Sequence, residues 1–313
     1  MSNLLSRIFL SPLEPRLRAG WRLLLQTLLL LLLASCIGVP VLFLTLIPIP
    51  GFDHFDEFAM LVYQVVEFIA VTLSVYLARR FLDKRPFAGL GLKLDSRTLP
   101  DLLAGVGIAA LVMALIFGLH LALGWLTVEG FAWEREGLPS VLGGMALMFV
   151  IFALTGWNEE LLSRGYHLQT LASGTNLLWA VVISSVAFGF LHLANPGATW
   201  TSAAGIFLAG LFLAYAYLRT GQLWLSIGLH LGWNFFEGPV FGFPVSGLDF
   251  FAMTRISVSG PELWTGGRFG PEAGLILIPG LLAGAIAVHL YGKYLRPVFA
   301  DGQADIPSQQ ENS

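Results

Sequence analysis

Residues 141–166 read VLGGMALMFVIFALTGWNEELLSRGY. The first sixteen, Val141 to Gly156, contain no charge, and then Glu159, Glu160 and Arg164 follow within eight positions. An uncharged run of this kind is the mark of a membrane-spanning helix. A carboxylate inside the bilayer is costly and is a functional candidate by default. The fold turns on whether the helix stops at Gly156 or continues to about Leu171. If it continues, both glutamates lie within the membrane rather than at its edge.

The rest of the chain favours the membrane reading. Of 313 residues, 56% are hydrophobic and 12% charged, where soluble domains carry about 25% charged residues. The apolar runs exclude a large soluble lobe and predict an all-α membrane protein, a bundle of about eight transmembrane helices. The expected spans are 23–47, 58–78, 102–126, 141–171, 177–194, 202–218, 222–237 and 273–291. A net charge of −3 gives no support for a nucleic-acid partner. The single cysteine, Cys36, excludes an intrachain disulfide. Leu33-Ala34-Ser35-Cys36 resembles a lipoprotein cleavage box, but the uncharged run 23–47 is longer than a signal core of about 7–15 residues. Cys36 is therefore expected inside the first span.

Orientation follows from basic residues, which concentrate on the cytoplasmic side. With residues 1–22 in the cytoplasm, the inside segments hold fourteen of the seventeen Lys and Arg, and only Arg135, Arg255 and Arg268 fall outside, near acids such as Asp53, Asp56 and Glu57. The expected layout is a cytoplasmic segment 1–22, a transmembrane domain 23–296 with its motif-bearing core at 141–240, and a disordered cytoplasmic tail 297–313. The expected location is a bacterial inner (plasma) membrane, crossed several times.

Three stretches interrupt the apolar pattern at helical spacing. In Glu159-Glu160-Leu161-Leu162-Ser163-Arg164, Glu160 and Arg164 are i,i+4 neighbours, acid before base. Glu159 then points about 100° away around the helix. In the second stretch Phe188 and His192 share a face, and Asn195-Pro196 ends the helix. In the third, His230, Asn234 and Glu237 form one polar stripe. At about 1.5 Å per residue, Glu159 lies roughly 20 Å from the inner helix end, His192 roughly 24 Å, His230 roughly 13 Å and Asn234 roughly 20 Å. These depths define one layer, provided helix four is unbroken. His120 and His289, each isolated in its span, read as packing residues. Glu67, with Gln64, is evenly balanced between a structural and a functional role.

A free carboxylate, two imidazoles and a carboxamide in an apolar cavity can activate water. Glu159 serves as general base toward a water shared with His192. His230 and Asn234 are the candidate donors to the oxyanion of a tetrahedral intermediate. Glu159, His192 and His230 are also a workable zinc set with an open water position. No HExxH motif is present, and these residues leave the cofactor undecided between none and zinc.

The order and spacing of Glu159-Glu160-x-x-x-Arg164, Phe188-x-x-x-His192 and His230-x-x-x-Asn234 resemble the three motifs of the CPBP intramembrane proteases. That group holds CAAX prenyl endopeptidases and bacteriocin-processing (Abi) enzymes. The resemblance covers about residues 141–240. It implies hydrolysis of a peptide bond in a membrane-associated or lipidated peptide or protein, by a glutamate-type or a metal-dependent route. It also implies catalytic roles for Glu159, Glu160, Arg164, His192, His230 and Asn234. Where many relatives carry Phe before the Arg, this chain has Ser163, which implies a more polar pocket. The runner-up is a catalytically silent bacteriocin-immunity or scaffold protein whose polar residues only hold the bundle together. A proton-coupled transporter is disfavoured, because no repeat halves are visible. The segment 238–270 is expected as a lid, a docking surface or a passive connection.

Overall fold

A computed structural model describes residues 7–12, 14–45 and 55–296, with side chains left out at 44, 45 and 55–57. Asp53 and the tail 297–313 lie outside the described residues. Eight long helices make up the bundle: α1 Ala19–Thr45, α2 Phe55–Leu77, α3 Thr98–Ala122, α4 Leu138–Glu160, α5 Leu177–Leu191, α6 Trp200–Thr220, α7 Trp224–Phe235 and α8 Leu277–Leu290. Each expected span coincides with one of them. Among the described residues, six stretches are long and apolar enough to cross a bilayer: those of α1, α2, α3, α5 and α6, and α4 with its continuation to Ala172. This is a helical membrane protein. Its apolar side chains are turned outward as lipid-facing residues are: Leu31, Leu32, Leu42 and Phe43 on α1 are each more than half exposed.

The decisive helix does not break at Gly156. It passes from α4 into a π-helical segment, Leu161–Leu168, and ends in regular helix at Gln169–Ala172. The widened turn begins directly after Glu160, and π segments inside α-helices concentrate at functional sites. α7 also widens at its end, over Phe236–Val240.

α7 is the axis of the bundle. Every residue from Leu225 to Asn234 is buried, as befits a helix enclosed on all sides. Gly228 and Gly232 lie one turn apart on it, and α3 presents Gly105 opposite. A Cβ on Gly228 would stand 2.1 Å from the carbonyl oxygen of Leu102, and one on Gly105 would stand 2.4 Å from that of Leu225. Small residues let the two backbones touch, the usual device where lipid gives no hydrophobic drive between helices. Around this contact Ile108, Val112, Met113 and Ile116 of α3 pack with Leu225, Leu229 and Trp233 of α7.

One element adds to the helical expectation. α3 stops at Ala122, short of the expected 126, and Gly124 turns the chain at φ +68°. Strand β1, Leu126–Phe131, then pairs antiparallel with β2, Thr254–Val258, with Leu126 opposite Val258 and a register shift between Val128 and Gly130. This ribbon ties the α3–α4 connection to the long α7–α8 connection, at the end of the bundle opposite the arginine-rich one.

Candidate active site

Four helices bring the polar residues together, and the approach of α4 to α7 is the first requirement. Gly156 makes it possible: a Cβ there would lie 3.2 Å from the amide nitrogen of Leu231 and 3.6 Å from the Cβ of His230. One turn later Glu160 is fully buried and faces α7. Its Oε1 accepts from Arg164 Nη1 at 2.6 Å and from His230 Nδ1 at 2.9 Å, while Oε2 accepts from the Ser226 hydroxyl. Both oxygens of this carboxylate accept hydrogen bonds, one of them from a guanidinium, which is what a buried charge requires. Arg164 also donates to the carbonyl of Gly210 on α6 at 3.2 Å, and its guanidinium lies 4.3 Å from the ring centre of Phe188 on α5. The expected Glu160–Arg164 pair is therefore present, and it joins α4, α5, α6 and α7.

Glu159 is placed differently. It is about one quarter exposed; its Oε2 stands 3.8 Å from His192 Nε2 and 3.7 Å from His230 Nε2. That oxygen is buried and has no hydrogen-bond partner among the described residues. The imidazole protons are assigned by their other neighbours. His192 Nδ1 meets the carbonyl oxygen of Phe188 at 2.8 Å, and a carbonyl only accepts, so Nδ1 carries the hydrogen. His230 Nδ1 likewise donates to Glu160. Neutral His192 and neutral His230 both turn an Nε2 lone pair toward Glu159. Three acceptors face one another at separations too long for direct hydrogen bonds, a spacing suited to a donor such as water between them.

These groups open on a cavity of about 1,410 Å³, lined by Glu159, Ser163, His192, His230 and Asn234 and, from α2, by Glu67. The expected layer of polar residues is thus real, and Ser163 lies on the cavity wall. Glu67, evenly weighed from sequence, joins the cavity side. Its helix is held to the motif by Asn158, whose Nδ2 donates to Gln64 Oε1 at 3.2 Å. His120 is fully buried, with Nδ1 on the carbonyl of Ile116, and His289 meets Tyr215; both stand apart from the cavity. Glu237 leaves the stripe expected from its i+7 spacing. It does not line the cavity but is buried, with its Oε1 3.4 Å from where a Cβ on Gly270 would stand.

Sequence reasoning missed Glu272. It lies in the α7–α8 connection and lines the cavity, accepting from the backbone amide of Ser246 at 3.0 Å and from its hydroxyl at 2.5 Å. The Ser246 carbonyl in turn accepts from Asn195, just after His192, at 3.0 Å. Gly205 on α6 lets this connection dock, since a Cβ there would meet the Glu272 carbonyl oxygen at 1.8 Å. The one available signal was a lone acid directly ahead of an uncharged span. The connection also sends Val245, Leu248 and Phe250 into the cavity wall, so it caps the site rather than passing idly beside it.

Glu159, His192 and His230 have the chemistry of zinc ligands. Yet no group of three or more His, Cys, Asp or Glu among the described residues is arranged to hold a metal ion. No chemical step below passes through a metal.

Comparison with known proteins bears on the same segment. Residues 140–236 match a family model described as type II CAAX prenyl endopeptidase Rce1-like. A putative membrane peptidase, YdiL of Bacillus subtilis (strain 168), is 30% identical over 113 residues, which cover 35% of this chain and 44% of that protein. The chain thus spans under half the length of that relative. No solved structure matches.

Proposed function

We propose that this chain, whose core at residues 140–236 belongs with the CPBP family, is an intramembrane endopeptidase acting on a membrane-associated or lipidated peptide or protein. The observation that carries the reading is the unpartnered Oε2 of Glu159, set between two imidazole lone pairs at 3.8 and 3.7 Å on the wall of an apolar cavity. A water between these groups donates one hydrogen to Glu159 and the other to His192 Nε2, with its oxygen lone pair free to attack a carbonyl carbon.

In the reaction Glu159 takes one water proton as the oxygen adds to the scissile carbonyl. The negative charge then rests on the former carbonyl oxygen. Asn234 Nδ2 is a neutral donor suited to that charge. His230 is a donor at Nε2 only as the imidazolium, because its neutral form keeps the hydrogen on Nδ1 for Glu160. Collapse of the intermediate breaks the C–N bond, and Glu159 returns its proton to the leaving nitrogen. One water is consumed, and a carboxylic acid and an amine leave. Glu160 and Arg164 touch no reacting atom in this scheme. They hold the His230 ring and join the four helices. The polarity of Ser163 beside Glu159 favours substrates with a polar group next to the cleaved bond.

The test compares free N- and C-termini in membranes of cells carrying the wild type or Glu159→Gln. New termini that require Glu159 define the substrate, and purified protein must then cut it. Unaltered cleavage by Glu159→Gln or His192→Ala would end the proposal in favour of a catalytically silent bundle.

A further inference from the structure

We infer that the basic end of the bundle carries a phosphate-binding site, built by Arg16, Arg22, Arg79 and Arg85, which takes a phospholipid headgroup or a free phosphate. It lies at the start of α1 and the end of α2, where α4 ends and α5 begins, away from the catalytic cavity. A narrow space of about 20 Å³ there, open toward solvent, is lined by the four arginines together with the Thr170 and Ser173 side of α4.

The charge count is the main argument. Arg16, Arg22 and Arg79 are 7%, 2% and 4% exposed, and Arg85 is about one third exposed. Among the described residues, two carboxylates face them. Asp83 pairs with Arg22, with Arg79 at 3.4 Å and more distantly with Arg16 at 3.7 Å. Glu14 pairs with Arg16 at 2.6 Å and Arg85 at 3.4 Å. Four guanidiniums on two carboxylates leave two positive charges in excess in a largely buried space, a costly arrangement without an anion. Arg22 reaches a neutral partner, the Ser173 hydroxyl at 2.6 Å, with Nη2, and its Nε is buried with no hydrogen-bond partner among the described residues.

Thr170, Ser173 and Gln169 line the space as well, with the Ser173 hydroxyl donating to the Thr170 carbonyl at 2.7 Å and Gln169 Nε2 to the Leu90 carbonyl at 2.9 Å, and so does Leu177, the first residue of α5. The Asn176 side chain caps that helix by accepting from Trp179 alone, which leaves earlier amides of the turn for an anion. A tetrahedral phosphate offers three oxygens to guanidiniums arriving from different helices, a better match than a single carboxylate. The site sits where apolar spans give way to charged residues, the level of lipid headgroups.

The experiment uses the full-length protein in phosphatidylcholine nanodiscs and reads its thermal unfolding midpoint. One arm replaces part of the lipid with phosphatidic acid. The other adds millimolar inorganic phosphate against chloride at equal ionic strength. The wild type is expected to shift upward in at least the first arm; Arg80→Gln, an exposed neighbour outside the site, is expected to shift equally. Arg85→Gln is expected to lose part of the shift, and Arg16→Gln/Arg85→Gln to lose it entirely. A shift with phosphatidic acid alone identifies a lipid headgroup; a shift in both arms shows that free phosphate suffices. No shift in either arm, or Arg85→Gln behaving like Arg80→Gln, overturns the proposal. Arg85 is partly exposed, so its variant keeps the test decisive if the double variant fails to fold.

Discussion

Two glycines on one helix test the packing that delivers His230. Gly105 and Gly107 both lie in α3, so replacing either by alanine brings the same helix-propensity gain of about 0.5–1 kcal/mol. Their surroundings differ. A Cβ on Gly107 meets nothing within 4 Å, and the residue is exposed. A Cβ on Gly105 would stand 2.4 Å from the carbonyl oxygen of Leu225, 2.6 Å from the amide nitrogen of Leu229 and 2.8 Å from the carbonyl carbon of Gly228. These are backbone atoms of α7 that cannot rotate aside. Restoring ordinary contact requires α3 and α7 to part by about 1 Å, and such overpacking costs about 1–3 kcal/mol. Subtracting one variant from the other cancels the propensity term and leaves the clash. Gly107→Ala is therefore expected to stabilise slightly, while Gly105→Ala is expected to fall about 1–3 kcal/mol below it. The measurement is equilibrium unfolding in mixed micelles followed by tryptophan fluorescence. A shift of about 1 Å at α7 also moves His230 relative to Glu159, and misplacement of that size costs about a hundredfold in rate. Equal unfolding curves for the two variants would refute the backbone-contact reasoning, whatever the effect on activity.

Other outcomes follow from the site. Glu159→Gln is expected to abolish cleavage while changing unfolding by less than about 0.5 kcal/mol, because Oε2 has no partner to lose. Glu160→Gln leaves Arg164 without its buried counter-charge and is expected to cost about 3 kcal/mol, the low end of the range for such pairs, since Gly210 and the Phe188 ring still hold the guanidinium. Glu272→Ala removes two charge-assisted hydrogen bonds to Ser246 and is expected to speed limited proteolysis of residues 241–276, each bond being worth about 1.5–3 kcal/mol. Cleavage is expected to survive prolonged chelation; loss of activity that zinc restores would overturn the metal-free water activation.

The eight spans were legible because hydropathy is a local property that each segment carries by itself. The Glu160–Arg164 pair was legible for a similar reason: four residues on one helix are neighbours whatever surrounds them. Depth arithmetic extended this to three helices, since a common rise per residue sets a common layer, and Glu159, His192, His230 and Asn234 do line one cavity. Three features escaped. β1 and β2 pair across more than a hundred residues, and no periodicity in either strand announces its partner. Glu237 obeyed the i+7 rule in sequence yet does not line the cavity. Glu272 belongs to no helix motif, and only the docking of its loop on Gly205 brings it to the cavity.

The division is clearest at the two adjacent glutamates. Sequence alone determined that they point to different sides of one helix, that Glu160 pairs with Arg164, and that Glu159 stands outside that pair. Tertiary structure alone decided that Glu160 also holds His230 through Nδ1, and so which ring nitrogen meets Glu159. That choice depends on the distance between α4 and α7, which Gly156 sets by lacking a side chain. A hydrogen bond between helices seventy residues apart is decided by how closely their backbones pack, and no single segment's pattern records that distance.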